Sequence, residues 1–412
     1  MNKNINDLKE HYNNFIYPKP IEDIEEEFIK QRRYYLDDPT YYWHKLWPEK
    51  AFNKKKIEVL IAGCGSHQAA ILAKCNPHHN FIGIDLSKNS IKHEEKLILK
   101  HNINNLKLIC DDFRKVKFDN KFDLIISTGV IHHLENPESA LNYFYKNIKD
   151  DGAISIMVYG NKSNFALNEI KKLFQFLKIE QNQEGIKDVQ EFFNKFNPSH
   201  PASFFAKQFE DINNSSGVID FFLHKSEKFF CIKEIIKLLS ENGLVIKDFA
   251  DTTIKSITKF FLYDEKILQK IRKLDCENQW ELGQILNWND RKIQFVCTKK
   301  ENKKKSNAYF PIKIDDAFIC FRDTIKYKIE NQKFFIKPET GENFSFNLPL
   351  IKDNLLWQSI FTGKNKIQFL INSYDEPEKS TLKNLFTILI ENNFVDISCH
   401  PIGVDRINSK SV

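Results

Sequence analysis

The sequence predicts an α/β fold: a doubly wound, mostly parallel sheet with helices on both faces. Three observations carry this. Glu58-Val59-Leu60-Ile61-Ala62 is an apolar strand that runs into the turn Gly63-Cys64-Gly65-Ser66-His67 and then a helical segment. Phe81-Ile82-Gly83-Ile84 is a second apolar strand and ends on a carboxylate, Asp85. Leu124-Ile125-Ile126 is a third near-continuous apolar run, as expected of strands buried on both faces by helices.

Along the chain, residues 1–56 come first. They hold His11-Tyr12-Asn13-Asn14-Phe15-Ile16-Tyr17-Pro18 and, after an acidic helical stretch, Tyr41-Tyr42-Trp43-His44. A disordered tail is poor in such rings, so this segment is expected to fold as an arm over the core. Residues 57–160 carry the strand–helix alternation. After the glycine turn, Ala69, Ala70, Leu72 and Ala73 make a helix with a small-residue packing face. Glycines let the backbone approach a ligand closely, and Asp85 at the next strand end can accept from both hydroxyls of a ribose. Gln68 stands where a dinucleotide site places its third glycine, which favours a ligand with a ribose and no diphosphate. Leu106 to Cys110 is a third strand and runs into Asp111-Asp112-Phe113. Phe122 to Thr128 is a fourth and leads into Gly129-Val130-Ile131-His132-His133-Leu134. Ile148 to Ile156, with a turn at Gly152, supplies the fifth.

Residues 161–228 break the alternation with helical patterns at Phe165–Leu177, Val189–Phe196 and Phe204–Ile212. Asp220-Phe221-Phe222-Leu223-His224 then leads back to the core. An insertion here is expected to lie above the strand ends as a cap. A helix over Ile232–Asn242 stops at Gly243, a left-handed terminator. Leu244–Phe249 and Lys292–Cys297 are the last two strands, expected as an antiparallel hairpin. Residues 300–306 read as a charged linker. Residues 308–412 read as a small, winged-helix-like α+β module, with strands at Phe334–Lys337 and Phe344–Phe346 and helices at Leu355–Ile360, Ile367–Ile371 and Leu382–Asn392. The domain division expected is therefore 1–56, 57–299 with the cap at 161–228, and 308–412.

The order of these motifs resembles the class I S-adenosylmethionine-dependent methyltransferases. Leu60 to Ser66 matches their hydrophobic-x-x-Gly-x-Gly motif, and the fourth-strand segment Phe122 to Leu134 matches a form common in members that act on small molecules. Ala62 departs from the acid that many members carry, and His67 from a small residue. The resemblance implies a seven-stranded Rossmann-like sheet that ends in a late antiparallel hairpin, with S-adenosyl-L-methionine as cofactor. It implies a cofactor pocket from Ala62, Gly63, Cys64, Gly65, Gln68, Asp85, Leu86, Asp112, Phe113, Thr128 and Gly129. Asp112 would face the adenine amino group and Phe113 would pack on the ring. His132, His133, His224 and Tyr17 are the candidates for catalysis, with Tyr12 a further ring facing the site. A structural reading stands beside these: a His pair after the fourth strand can simply anchor its loop.

Methyl transfer from a sulfonium is a direct displacement, so the protein supplies alignment and excludes water, with a general base where the nucleophile carries a proton. The expected acceptor is a small organic molecule. Protein-lysine methylation, or a cofactor-binding scaffold without catalysis, are the alternatives. The eight cysteines are scattered with no Cys-x-x-Cys pair, and no metal-ligand spacing is present. The net charge of +6 is spread along the chain. Lys303-Lys304-Lys305 reads as part of a solvated linker, and the Leu382–Asn392 helix carries Lys383 and Glu391 as its charged residues, which argues against nucleic acid. The first residues lack the apolar core of a signal peptide, and no run is long enough to cross a bilayer. The expectation is a cytoplasmic protein that makes no membrane contact, with the C-terminal module serving packing or homodimer formation.

Overall fold

A computed structural model of the protein describes residues 8–10, 12–26, 38–52, 55–162, 164–201, 203, 210–224, 227–249, 264–286, 291–301, 316–322, 326–330, 333–337, 344–347, 356, 360, 363–391 and 394–402. The chain divides into two compact units. One comprises 1–38, 55–246 and 287–302, and the other 39–54, 247–286 and 303–412.

The first unit is built on a seven-stranded sheet, whose strand at Leu244–Phe249 continues past the unit's boundary at Ile246. Its elements are β1 (Glu58–Ala62), α1 (Gln68–Cys75), β2 (Asn80–Asp85), α2 (Lys88–His101), β3 (Leu106–Cys110), β4 (Phe122–Thr128), α3 (Pro137–Asn147), β5 (Ile148–Tyr159), α4 (Phe165–Phe176), α5 (Gln183–Lys195), α6 (Ser215–Phe222), α7 (Ile232–Glu241), β6 (Leu244–Phe249) and β7 (Lys292–Lys299). Strand order is β3-β2-β1-β4-β5-β7-β6. β1, β2, β3, β4 and β5 pair in parallel, and β7 runs antiparallel to β5. The order turns back at β1, with β2 on one side and β4 on the other, so the glycine turn after β1 lies where a doubly wound sheet opens its ligand crevice.

Local sequence explains the element ends. Ser87 caps α2 by accepting from the Ser90 N–H, and Asn102, left-handed at φ 52°, closes it. Asn136 caps α3, with Pro137 in the first turn. The N-terminus of α1 is served from another element. Glu94, on the inner face of α2 and 0% exposed, accepts from the Ala69 N–H at 2.9 Å and the Ala70 N–H at 2.8 Å. Its carboxylate thereby closes the helix that follows the glycine turn.

Burial raises the Glu94 carboxyl from 4.5 to about 8 and outweighs the two N–H donors, which favour the charged form. The folded state therefore holds this proton more tightly than the unfolded chain. The resulting stabilisation is complete below pH 4.5 and is lost as pH rises through about 8. Between about pH 5 and pH 8.5, wild type should lose stability relative to Glu94→Gln by up to about 4 kcal/mol. Parallel pH dependences of the urea midpoints would refute the assignment.

The insertion is helical, as expected, but its boundaries differ. α5 begins at Gln183, six residues before the apolar pattern, because Asn182 caps it by accepting from the Gly185 N–H. Residues 220–222 are the last turn of α6. Asn214 caps α6, and Val218, Ile219, Phe221 and Phe222 pack on α4 and α5. Phe15 and Tyr17 of the arm lie against this same cluster. The expected helical piece at 204–212 falls mostly outside the described residues.

The second unit contains α8 (Glu265–Arg272) and α9 (Cys276–Leu286). It then has strands β8 (Phe318–Phe321), β9 (Lys326–Glu330), β10 (Lys333–Lys337) and β11 (Phe344–Asn347), helices α10 (Ile367–Asn372) and α11 (Glu378–Glu391), and β12 (Val395–Ser398). β9, β10 and β11 form an antiparallel sheet, and β12 pairs antiparallel with β8. Ile319, Phe321, Ile360, Leu370, Leu382, Phe386 and Leu389 form its core.

The linear division at residues 56 and 308 does not follow compactness. Pro39–Lys54 belongs with the C-terminal strands because His44 Nε2 and Lys45 Nζ reach the Asp396 carboxylate at 3.0 and 3.5 Å. Lys247 Nζ, in turn, donates to the Leu46 carbonyl and to Glu49. The helix expected at Leu355–Ile360, most of the 300–306 linker and the run Lys303–Lys305 fall outside the described residues, apart from Leu356, Ile360, Lys300 and Glu301. Among the described residues, no helix is long and apolar enough to cross a membrane.

Candidate active site

The site is organised by the turn after β1. Ala62 ends the strand, fully buried, and the Gly63 and Cys64 N–H groups donate to the Ile84 carbonyl. Gly63 and Gly65 have φ of 82° and 62°, where a side chain is strained. A Cβ on Gly63 would lie 2.3 Å from Val130 Cγ2, so the turns after β1 and β4 touch directly. A Cβ on Gly65 would come within 3.0 Å of Pro18 Cδ, because the arm passes over this turn. Ser66 Oγ ties the arm down by donating to the Pro18 carbonyl at 2.8 Å.

Asp85 faces the turn from the end of β2. Its carboxylate accepts from the Gly65 N–H at 2.9 Å through one oxygen and from the Ser87 N–H at 2.8 Å through the other. A carboxylate has about four lone-pair sites, so these backbone donors leave capacity for a ligand hydroxyl. Burial pushes its pKa up, against the pull of the Ser87, Gly65 and Leu86 N–H groups. Gln68 Nε2 donates to Thr128 Oγ1 at 3.1 Å, which joins two more candidates across the crevice. Gly129, at φ 74°, donates its N–H to the Met157 carbonyl. Leu86 is partly buried beside Asp85, and Cys64 is buried, its thiol pushed up by burial and by Glu94. The glycine cradle and the strand-end carboxylate fit an adenosine bound through its ribose.

At the end of β3, the Asp112 carboxylate receives a fork from Arg114, Nε and Nη2 each at 2.9 Å. The Phe113 ring is buried on α3, stacked 5.5 Å from Phe144 and edge-on to Tyr143 at 5.6 Å. These two residues thus have structural partners besides any contact with adenine.

The catalytic candidates converge at the other end. His132 and His133 sit on the short turn Ile131–His133, and the His133 ring lies 4.2 Å from that of His224 just beyond α6. The Tyr12 ring reaches both, at 6.2 Å from His133 and 6.3 Å from His224, and its hydroxyl donates to Asp220 Oδ1 at 3.3 Å. The Tyr12 backbone carbonyl accepts from Ser87 Oγ at 2.9 Å, so this one arm residue joins the ribose end to the histidine cluster. Tyr17 is partly buried on the cap. Burial drives the Tyr12 phenol well above its usual range and His132 well below its own, so Tyr12 keeps its proton and His132 is neutral at pH 7.

Sequence reasoning passed over Asp220, Glu227, Lys171 and Arg291. Lys171 pairs with Glu227 inside the cap. Arg291 Nε donates to Asn164 at 2.7 Å, and its guanidinium lies 4.1 Å from the Phe221 ring centre. A signal did exist for Asp220: an acid within an apolar helical run, four residues before His224. Metal-ligand spacing is absent from the sequence, yet the fold brings His133, Asp220 and His224, and also His132, His133 and Glu227, into groups whose ligand atoms all lie within 4.8 Å of one another.

This sheet order, glycine turn and strand-end carboxylate define a class I S-adenosylmethionine-dependent methyltransferase fold, and residues 53–197 match the family described as methyltransferase domain. The family match covers residues 53–197 of the 412. Among curated proteins it is similar to the malonyl-acyl-carrier-protein O-methyltransferase of Bacillus cereus, 23% identical over 36% of this chain and 53% of that one. It is also similar to malonyl-acyl-carrier-protein O-methyltransferase 1 of Ilyobacter polytropus, 25% identical over 54% of this chain and 84% of that one. The match with the first of these thus spans about half of that protein's length. Among solved structures, PKMT2 from Rickettsia typhi in complex with AdoHcy shares the fold over 88% of this chain and 76% of its own, at 17% identity and a TM-score of 0.62.

Proposed function

We propose that this protein transfers the methyl group of S-adenosyl-L-methionine to an oxygen atom of a small organic acceptor by direct displacement. The observation that carries the reading is the Asp85 carboxylate, held by the Gly65 and Ser87 N–H groups with capacity left for a ribose. Gly63, Gly65, Ala62, Cys64, Gln68, Leu86, Thr128 and Gly129 form the remainder of the cofactor crevice, with Asp112 and Phe113 at its adenine end. The acceptor enters beneath the cap, bounded by Tyr12, Tyr17, His133 and His224, with His132 behind them. The names of the curated relatives support an oxygen acceptor. A small acceptor suits a site where arm and cap share one apolar cluster, since enclosure excludes water from the displacement. The free cysteines, three of them buried, suit a reducing cytoplasm.

Purified full-length protein supplied with methyl-labelled cofactor and cell extract tests the reading. Label is expected in the small-molecule fraction. Label confined to protein bands would favour a protein acceptor instead. Cofactor binding with no transfer to any fraction would favour a scaffold.

A further inference from the structure

Displacement at a sulfonium needs no metal, yet the cap and the turn after β4 assemble a donor set suited to one. His133, Asp220 and His224 are all buried, and their ligand atoms lie within 4.8 Å of one another. Two imidazoles and a carboxylate are the donors of zinc, iron(II), cobalt(II) and manganese(II) sites rather than of calcium or magnesium sites, which want oxygen.

A second observation points the same way. His132 is 0% exposed, and both of its ring nitrogens lack a hydrogen-bond partner among the described residues. A buried imidazole left so is costly, and nearby metal-bound water or direct ligation would relieve it. Between the two possible groups, burial and engagement decide. Glu227 is only partly buried and its carboxylate is taken up by Lys171, whereas His133, Asp220 and His224 are all buried, with the Tyr12 hydroxyl donating to Asp220. A hydrogen bond to a ligating carboxylate is the usual outer support of a metal site.

We propose that His133, Asp220 and His224 bind one divalent transition-metal ion, with Tyr12 as the positioning partner of Asp220. Three protein ligands leave a coordination position open for water or for an acceptor oxygen. His133 follows Gly129 closely, and Tyr12 is tied to Ser87 beside Asp85, so the ion lies toward the acceptor end of the crevice. The proposal deepens the function proposed above, and rests on it for the acceptor alone: the substrate would be one whose oxygen can ligate a metal.

The test is metal binding by the full-length protein after treatment with a chelator. Cobalt(II) is followed by its visible absorption and zinc(II) by calorimetry, with S-adenosylhomocysteine affinity measured in parallel. One ion per chain is expected. His224→Ala and Asp220→Asn should each weaken it by roughly 100-fold, and His78→Gln, at an exposed position, should leave it unchanged. Absence of stoichiometric binding to wild type, or wild-type metal affinity in both site variants, would overturn the proposal. Should His224→Ala not fold, Asp220→Asn and the wild-type stoichiometry decide. Loss of the metal result with S-adenosylhomocysteine binding intact leaves the methyltransferase reading standing. Failure to bind S-adenosylhomocysteine removes that reading whatever the metal does.

Discussion

Asp85→Ala is expected to weaken S-adenosyl-L-methionine binding by roughly 100-fold or more. Hydrogen bonds to a charged group contribute about 1.5–3 kcal/mol each, and two ribose hydroxyls would be lost together. The substitution also frees the Gly65 and Ser87 N–H groups, so the glycine turn loses the anchor that shapes it. Asp85→Asn should fall between, since an amide oxygen still accepts but carries no charge. Because burial raises the Asp85 carboxyl, wild-type affinity should also decline at a less acidic pH than an ordinary aspartate would allow: protonation removes acceptor capacity. Calorimetry with the cofactor and its demethylated product checks both points. Equal affinity in wild type and Asp85→Ala would remove Asp85 from the pocket.

Asp396→Ala is expected to destabilise the second unit by about 3–5 kcal/mol, the cost of leaving buried charges without their partner. Asp396 is 5% exposed and receives His44 Nε2 at 3.0 Å, Lys45 Nζ at 3.5 Å and Arg322 Nε at 3.0 Å. Burial alone would raise its carboxyl. Arg322, Lys45 and His44 together hold it well below the usual carboxylate range. Its folded pKa is therefore depressed. The stability it contributes is present above the ordinary value of 3.8 and is lost as pH falls toward the folded one. Trp43, Trp47 and Trp280 lie in this unit, so tryptophan emission during urea unfolding reports on it. An unchanged midpoint in Asp396→Ala would show that the cluster adds nothing to stability.

Legibility from sequence tracked the range of the physics involved. The parallel strands, the glycine turn and the carboxylate at the end of β2 were readable because apolar runs, backbone permissiveness and strand-end position are local properties. α5 was located but misplaced at its start, because a cap such as Asn182 is one polar residue in a polar stretch. Asp220 was missed because its meaning depends on His133, 87 positions earlier in the chain. Glu94 reads as one more acid on an amphipathic helix, and only packing shows that it closes the N-terminus of α1.

By itself, then, the sequence determined the alternation of strands and helices and the glycine turn followed by a strand-end carboxylate, all of which follow from periodicity and glycine placement within a few dozen residues. The tertiary structure alone decided what surrounds that turn: the arm fastened through Ser66 and Ser87, the cluster of His133, His224 and Asp220, and the joining of Pro39–Lys54 to the C-terminal strands through Asp396. Those arrangements pair residues far apart in the chain, and long-range pairing of buried polar groups leaves no periodic trace in sequence.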